Sequence, residues 1–439
     1  MLVKLLETYC RWLLGVLLVA CQPALAHPMP TSRVLLDLQA TGVAAEVQLP
    51  LGELQLALGQ QLDVTTQLET LVARSGPALR AYIGAHVRPA SYTGQPWAVT
   101  VNALQVSAAE QTDTGPYQEL TAHLWLQPPA GASSRAFVLR YDVIMHQLVT
   151  HAALVSIRQD WDNGVLAAHP VEVGVIRMNP RDNSIAPLYI EPAAGSLWQG
   201  FRSMVSLGLS HIAEGTDHLL FLLVLLLPAP LVVRLGRWGR FGGVRYSLGR
   251  LLKIVTAFTV GHSITLLLGA LGWVHLPSQP VEVLIALSIL VSAVHAWRPL
   301  FPGREAWVAA GFGLVHGLAF ASTLAGLHLD AGRMGLSILG FNLGIELMQL
   351  FVIALTVPWL LLLSRTPAYP AVRVGGAALA SVAALAWIAE RLSGQPNALT
   401  MLIAQAVPYA LWLLGVLAVG AVLSFWRTRA GVARGGQWL

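Results

Sequence analysis

Two regimes of hydrophobic patterning divide the chain near Trp198. Before it, the segments 33–38, 43–49, 97–106, 119–126, 136–144 and 171–178 alternate apolar and polar residues and are bounded by Gly, Pro, Asn and Asp. A period of two sends successive side chains to opposite faces of a strand, so each segment reads as half-buried β-structure. Their regular spacing predicts an antiparallel, sandwich-like domain, with a helix over 62–85 inserted between strands. After Trp198 the apolar runs lengthen. Seven spans are expected, at about 205–231, 251–272, 280–298, 306–326, 335–363, 371–391 and 404–426. Most are close to the ~20 residues needed to cross hydrocarbon. The fifth is longer and should tilt or run past the interface. The expected fold is therefore a membrane all-α bundle of about seven transmembrane helices, preceded by a mainly-β exported domain.

The N-terminus has the layout of an export signal. Lys4 and Arg11 supply positive charge, residues 12–20 are apolar but too short to span, and Ala24-Leu25-Ala26 fits a cleavage site. Cutting after Ala26 removes both cysteines, Cys10 and Cys21, and leaves neither a disulfide framework nor a thiolate metal site. A rival cut exists, because Leu18-Val19-Ala20-Cys21 resembles a lipobox that would leave Cys21 lipidated. The spans downstream make a lipid anchor redundant, which favours the cut after Ala26. The expected domains are a signal peptide (1–26), a periplasmic β-rich domain (27–195) and a transmembrane domain (196–439).

Composition sharpens the division. The chain is 55% hydrophobic and 11% charged, against about 25% charged in soluble domains. The net charge of +5 does not point to nucleic acid, because many of the arginines lie in short loops between apolar runs. Arg234, Arg237, Arg240, Arg245, Arg250 and Lys253 follow the first span, Arg298 and Arg304 the third, and Arg365 and Arg373 the fifth. Arg427, Arg429 and Arg434 are in the tail. The positive-inside rule then predicts a bacterial inner-membrane protein with its N-terminal domain in the periplasm and its C-terminus in the cytoplasm. The export signal implies the same orientation independently.

Ionisable groups at the bilayer centre cost about 2.5–3.5 kcal/mol each on insertion scales, so they are candidates for function. The first span carries His211, Glu214, Asp217 and His218 within eight residues. On one continuous helix, His211, Glu214 and His218 share a face, with Asp217 beside them. His262 lies in the second span with Thr259 and Ser263 on nearby turns, and His316 lies in the fourth. Asn342, Glu346 and Gln349 make a polar stripe along the fifth. Residue counting sets His218, His262, His316 and Glu346 at similar depth. Imidazoles and carboxylates gathered at one level suit a nickel, cobalt, zinc or copper ion. Gly261, Gly317 and Gly344 would let the helices approach closely there.

Blander readings apply elsewhere. A lone intramembrane histidine is commonly an interhelical hydrogen-bond donor. Glu282 and His295 fall near span ends and should face interfacial water, while His275 and His328 read as loop residues. In the exported domain His86, His123 and His169 read as ordinary strand or surface residues. Met145-His146 with His151 reads as a weak metal-capture patch. His27 would become the mature N-terminus, but Pro28 removes the amide that an amino-terminal copper site uses.

The sequence resembles the HupE/UreJ family of hydrogenase- and urease-accessory membrane proteins, in a long form with an exported domain. The resemblance is carried by HIAEGTDHLLF (211–221), TAFTVGHSIT (256–265), GFGLVHGLAF (311–320) and FNLGIELMQ (341–349), and by the opening His27-Pro28-Met29-Pro30. It implies a nickel or cobalt permease, with His211, Asp217 and His218 matching a first-helix signature of His, a spacer and Asp-His. Short members usually carry Pro after the first His, where this chain has Ile212, and Glu214 is an added carboxylate. The expected partners are the metal ion and the bilayer, together with metalloenzyme-maturation or periplasmic metal-delivery proteins. Two other readings stand beside a transporter: an accessory protein that delivers or senses metal, and a seven-span zinc-dependent hydrolase with Glu214 or Glu346 as base. Neither a HExxH pair nor a Walker motif is present.

Overall fold

The computed structural model describes residues 30–59, 68–111, 115–166, 169–274 and 276–435. The export signal, both candidate cuts, His27 and His275 lie outside the described residues. The chain resolves into two compact units. One takes the described residues up to Gln159 and those between Ala167 and Pro192; the other takes Asp160–Leu166 and everything from Ala193 onward.

The first unit is mainly β. Strands β1 (Ser32–Leu38), β2 (Val43–Pro50), β3 (Val87–Ala90), β4 (Ala98–Gln111), β5 (Gly115–Gln127), β6 (Phe137–Tyr141), β7 (Ala152–Asp160), β8 (Val171–Arg177) and β9 (Leu188–Ile190) form two sheets. One has the order β4-β5-β2-β1-β7-β8 and the other β3-β6-β9. The alternation read from sequence is the burial pattern: Val34, Leu36 and Leu38 on β1 are buried beside Val43, Ala45 and Val47 on β2, with Leu36 opposite Ala45. Across β2, β1 and β7, Arg158 pairs with both Asp37 and Glu46 at 2.6 Å. Helix α1 (Leu51–Leu58) follows β2 directly, and α2 (Leu68–His86) falls in the predicted helical stretch. Strands β3, β7 and β9 and helix α1 were not among the expected elements, since they are short or lack clean alternation.

Inside this unit Ser32 Oγ lies 2.7 Å from His151 Nε2, and Glu53 pairs with His151 Nδ1. The order resembles a nucleophile relay, but Ser32 is 0% exposed and Glu53 and His151 are each 4% exposed. With no access for a substrate, the three side chains fasten β1, α1 and the start of β7 together. His151 is thereby consumed, so the expected capture patch with Met145 and His146 does not form. Removing one partner of a buried pair leaves an uncompensated group, at a cost of about 3–5 kcal/mol. His151→Ala should therefore lower the midpoint of the β-domain's unfolding transition clearly; an unchanged midpoint would show that the pair is not structural.

The second unit is helical. Helices α3 (Leu197–Glu214) and α4 (Thr216–Leu226) lead to a hairpin, β10 (Leu231–Arg234) and β11 (Arg237–Phe241). Then come α5 (Val244–Ala270), α6 (Ser278–Trp297), α7 (Glu305–Ala325), α8 (Ala331–Leu363), α9 (Tyr369–Ser393), α10 (Ala398–Ala406) and α11 (Ala410–Gly435). Among the described residues, α5, α6, α8, α9 and the α10–α11 run are long and apolar enough to cross a membrane, and α7 is a shorter apolar helix. The expected first span is instead a broken one: α3 and α4 meet at 72°. Among the described residues the bundle thus has five helices of spanning length, or six spans with the bent pair counted as one.

Packing in the bundle runs in pairs, α5 along α7, α3 along α8 and α6 along α9. Glycines set the first two. A Cβ on Gly261 or Gly313 would collide with backbone of the facing helix, as would one on Gly208 or Gly344. His295 departs from expectation. It is 1% exposed, stacks on Phe301 at 3.9 Å and accepts from the Leu300 N–H at 3.1 Å. The hairpin explains this burial, since Trp238 Nε1 donates to the His295 carbonyl at 2.9 Å. Glu282 pairs with Arg391 at 2.6 Å.

Candidate metal centre

The break in the first span arises at Gly215. Its backbone leaves the helical region (φ −73°, ψ 94°), and a Cβ there would stand 2.7 Å from the His211 carbonyl and 2.8 Å from His218 Nδ1. The bend puts His211 in the last turn of α3 and Asp217 and His218 in the first turn of α4. An acidic side chain suits that position, because the open N–H groups of a helix start carry partial positive charge. Asp217 Oδ1 accepts from the His218 backbone N–H and from His218 Nδ1, each at 2.9 Å. The two imidazoles meet edge to face, 4.7 Å between centroids.

His316, from α7, joins them with its ring 5.0 Å from that of His218. His262, from α5, is 1% exposed and contacts Asn342 of α8, Nδ1 to Oδ1 at 3.3 Å. Aromatic rings enclose the group. Phe320 and Phe341 stack on each other at 4.2 Å and flank His211 at 5.1 and 5.3 Å. Phe221 and Phe258 lie 5.1 and 5.2 Å from His316.

The hydrogen bonds assign the tautomers. Asp217 can only accept, so His218 Nδ1 carries the proton and Nε2 is a bare lone pair. Asn342 donates its amide to the Ile338 carbonyl at 2.8 Å, which leaves Oδ1 to accept from His262 Nδ1. Ser288 of α6 donates to the Ile285 carbonyl at 2.7 Å, so its oxygen accepts from His316 Nε2 at 3.0 Å. His316 then keeps its lone pair on Nδ1. His211 Nε2, His218 Nε2, His262 Nε2 and His316 Nδ1 are all buried without a hydrogen-bond partner. An unsatisfied buried polar atom costs about 1–3 kcal/mol, a cost that a cation shared among such lone pairs would offset.

Other expected residues stand apart. Glu214 is exposed. Glu346 is half-buried one turn from Asn342. Gln349 is buried with Oε1 unpaired. Thr259 and Ser263 give their hydroxyls to the carbonyls of Val255 and Thr259 on their own helix. Among the described residues, no three His, Cys, Asp or Glu side chains already stand in metal-holding geometry. Sequence reasoning missed Ser288, which lies on a helix that reads as apolar, and Gly215, whose position inside HIAEGTDH was the one local sign of a break. It also missed Trp161, which donates to Ser337 Oγ at 2.8 Å, beside Asp162 held by Arg333 at 2.8 and 2.9 Å.

Residues 189–391 match the family described as HupE / UreJ protein. No curated protein and no solved structure matches the chain.

Proposed function

We propose, from the match of residues 189–391 to the HupE/UreJ family, that the protein carries a divalent transition-metal ion, nickel or cobalt, across the bacterial inner membrane. The β-rich domain would face the periplasm and the C-terminus the cytoplasm. The observation that carries this reading is the set of four buried, unpaired imidazole nitrogens, three of which have their tautomer fixed by a partner on the other nitrogen. Metal-binding histidines have their second nitrogen held by a carboxylate, backbone carbonyl or water, and here Asp217, Asn342 Oδ1 and Ser288 Oγ take that place. Two imidazoles sharing an ion at about 2.0–2.1 Å in tetrahedral geometry have centroids roughly 5 Å apart. The His211–His218 and His218–His316 spacings of 4.7 and 5.0 Å are of that size.

In this reading the ion is cargo. His211, His218 and His316 bind it with Asp217 supplying charge, and His262 takes part from α5. The broken span contributes as well, because the free carbonyls at the end of α3 give a partial negative charge beside the site. Few charged ligands favour binding weak enough to release. Glu346 and Gln349 would line the onward path along α8, with Glu214 at the entry. Aromatic walls keep the site dry, so each metal–nitrogen contact competes little with water. The matched family is one of transport and accessory proteins, which favours handling of the ion over hydrolysis.

The test is flux. Purified protein in vesicles loaded with a metal-sensitive dye should pass nickel or cobalt, and protein with His316→Ala should not. Tight binding without flux in the parent protein would replace transport by metal delivery. A finer test uses Ser288→Ala, which removes only the acceptor that holds His316 in its tautomer. Loss of such an outer partner typically costs 10–100-fold in metal affinity, so nickel binding should weaken by about tenfold or more. Unchanged affinity would make His316 a packing residue.

A further inference from the structure

A second pair of histidines in the β-rich unit shows the same chemical preparation at an accessible surface. His86 ends α2, and His146 follows β6 in the turn after Asp142. Their rings stack at 4.3 Å with 17° between planes, and Tyr82, one turn before His86, packs on His86 at 4.5 Å. Both Nδ1 atoms are committed to one residue. His86 Nδ1 donates to Asp142 Oδ1 at 2.8 Å, and His146 Nδ1 donates to the Asp142 backbone carbonyl at 3.0 Å. Arg88 holds the other carboxylate oxygen at 2.6 Å, so Asp142 is oriented and the charge of Arg88 is balanced. Since carboxylate and carbonyl oxygens only accept, both histidines carry their proton on Nδ1 and keep a lone pair on Nε2.

The surroundings leave room for an ion. Asp142 and His146 line a cavity of about 580 Å³, walled on the other side by Met178, Asn183 and Ile185. The His86 side chain is 23% exposed. A packing role alone needs neither two fixed tautomers nor an open cavity beside one of them. The alternative pair, His146 with His151, is excluded because His151 is buried against Ser32 and Glu53.

The geometry points to a divalent transition-metal site at His86 and His146, with Asp142 as the partner that orients both rings. Two protein nitrogens hold the ion, and water completes its coordination. Parting the rings by roughly 1 Å would bring them to the spacing of two imidazoles on one ion. Two ligands give modest affinity and open positions, which suits capture and hand-off over storage. The site does not depend on the bundle reading, since it shares no residue with it.

The experiment titrates full-length detergent-solubilised protein with nickel(II) by calorimetry, in a background of Asp217→Asn and His218→Ala that silences the bundle histidines. The expected result is one equivalent of binding that either His86→Ala or His146→Ala weakens at least about tenfold. Asp142→Asn should weaken it by about tenfold through the lost orientation of His86. His169→Ala, an exposed histidine elsewhere in the unit, should leave it unchanged. Thermal unfolding of each variant separates ligand loss from misfolding. Absence of this equivalent in the parent background, or its persistence in both His86→Ala and His146→Ala, overturns the proposal. Vesicle flux measured separately decides the bundle reading, so either can fail alone.

Discussion

His218→Ala is expected to abolish the proposed nickel and cobalt flux, to below about one hundredth of the parent rate at equal protein abundance, because it deletes the imidazole that touches both of its neighbours. His218 contacts the rings of His211 and His316 and is the one imidazole paired with a carboxylate in the bundle group. Alanine removes the buried, unpaired Nε2 lone pair and leaves Asp217 without its imidazole partner. Asp217→Asn is the gentler version. The amide oxygen still accepts from His218 Nδ1, but the negative charge is gone, so binding falls by about 10–100-fold while the fold survives. Vesicle flux together with metal titration checks both. Parent-like flux in His218→Ala would show that the cluster is helix packing and that the ion passes elsewhere.

The largest structural effect is expected at Gly317. A Cβ at this position would collide with Thr265 Oγ1 and the His262 carbonyl across the α5–α7 interface. Backbone cannot swing aside as a side-chain end does, so Gly317→Val must push the helices apart. Overpacking costs about 1–3 kcal/mol where a core can adjust, and more where it cannot. The loss is amplified because His316 is the preceding residue and His262 is the residue struck. The expected outcome is little folded protein in the membrane, with no metal binding in what remains. Gly317→Ala should show a smaller version of the same defect. Folded yield measured by size-exclusion in detergent decides it, and full yield of Gly317→Val would mean that the two helices are not held in close contact.

The sequence by itself determined the material of both units. Alternation in 33–38 and 43–49 became β1 and β2 because a strand's side-chain period of two depends only on local geometry. Most of the apolar runs became membrane-length helices because a helix satisfies its own backbone wherever it is placed, while the first is broken at Gly215 and the fourth is shorter. The unusual polar residues within those runs were equally legible, as was the need for small residues beside His262 and His316. What only the tertiary structure decided was how these groups meet. One helical face was expected to carry His211, Glu214 and His218, yet the bend at Gly215 puts His211 and His218 on two helices in ring contact and leaves Glu214 exposed. Ser288 of α6 orients His316 of α7, and Asn342 of α8 orients His262 of α5. No local pattern encodes such a partner, because a serine or asparagine can equally bond its own helix backbone, as Thr259 and Ser263 do. His146 likewise met His86, sixty residues away in sequence, instead of the nearby His151. Period and propensity are properties of neighbours along the chain, whereas a tautomer is set by whichever acceptor the folded helices and strands bring within hydrogen-bonding reach.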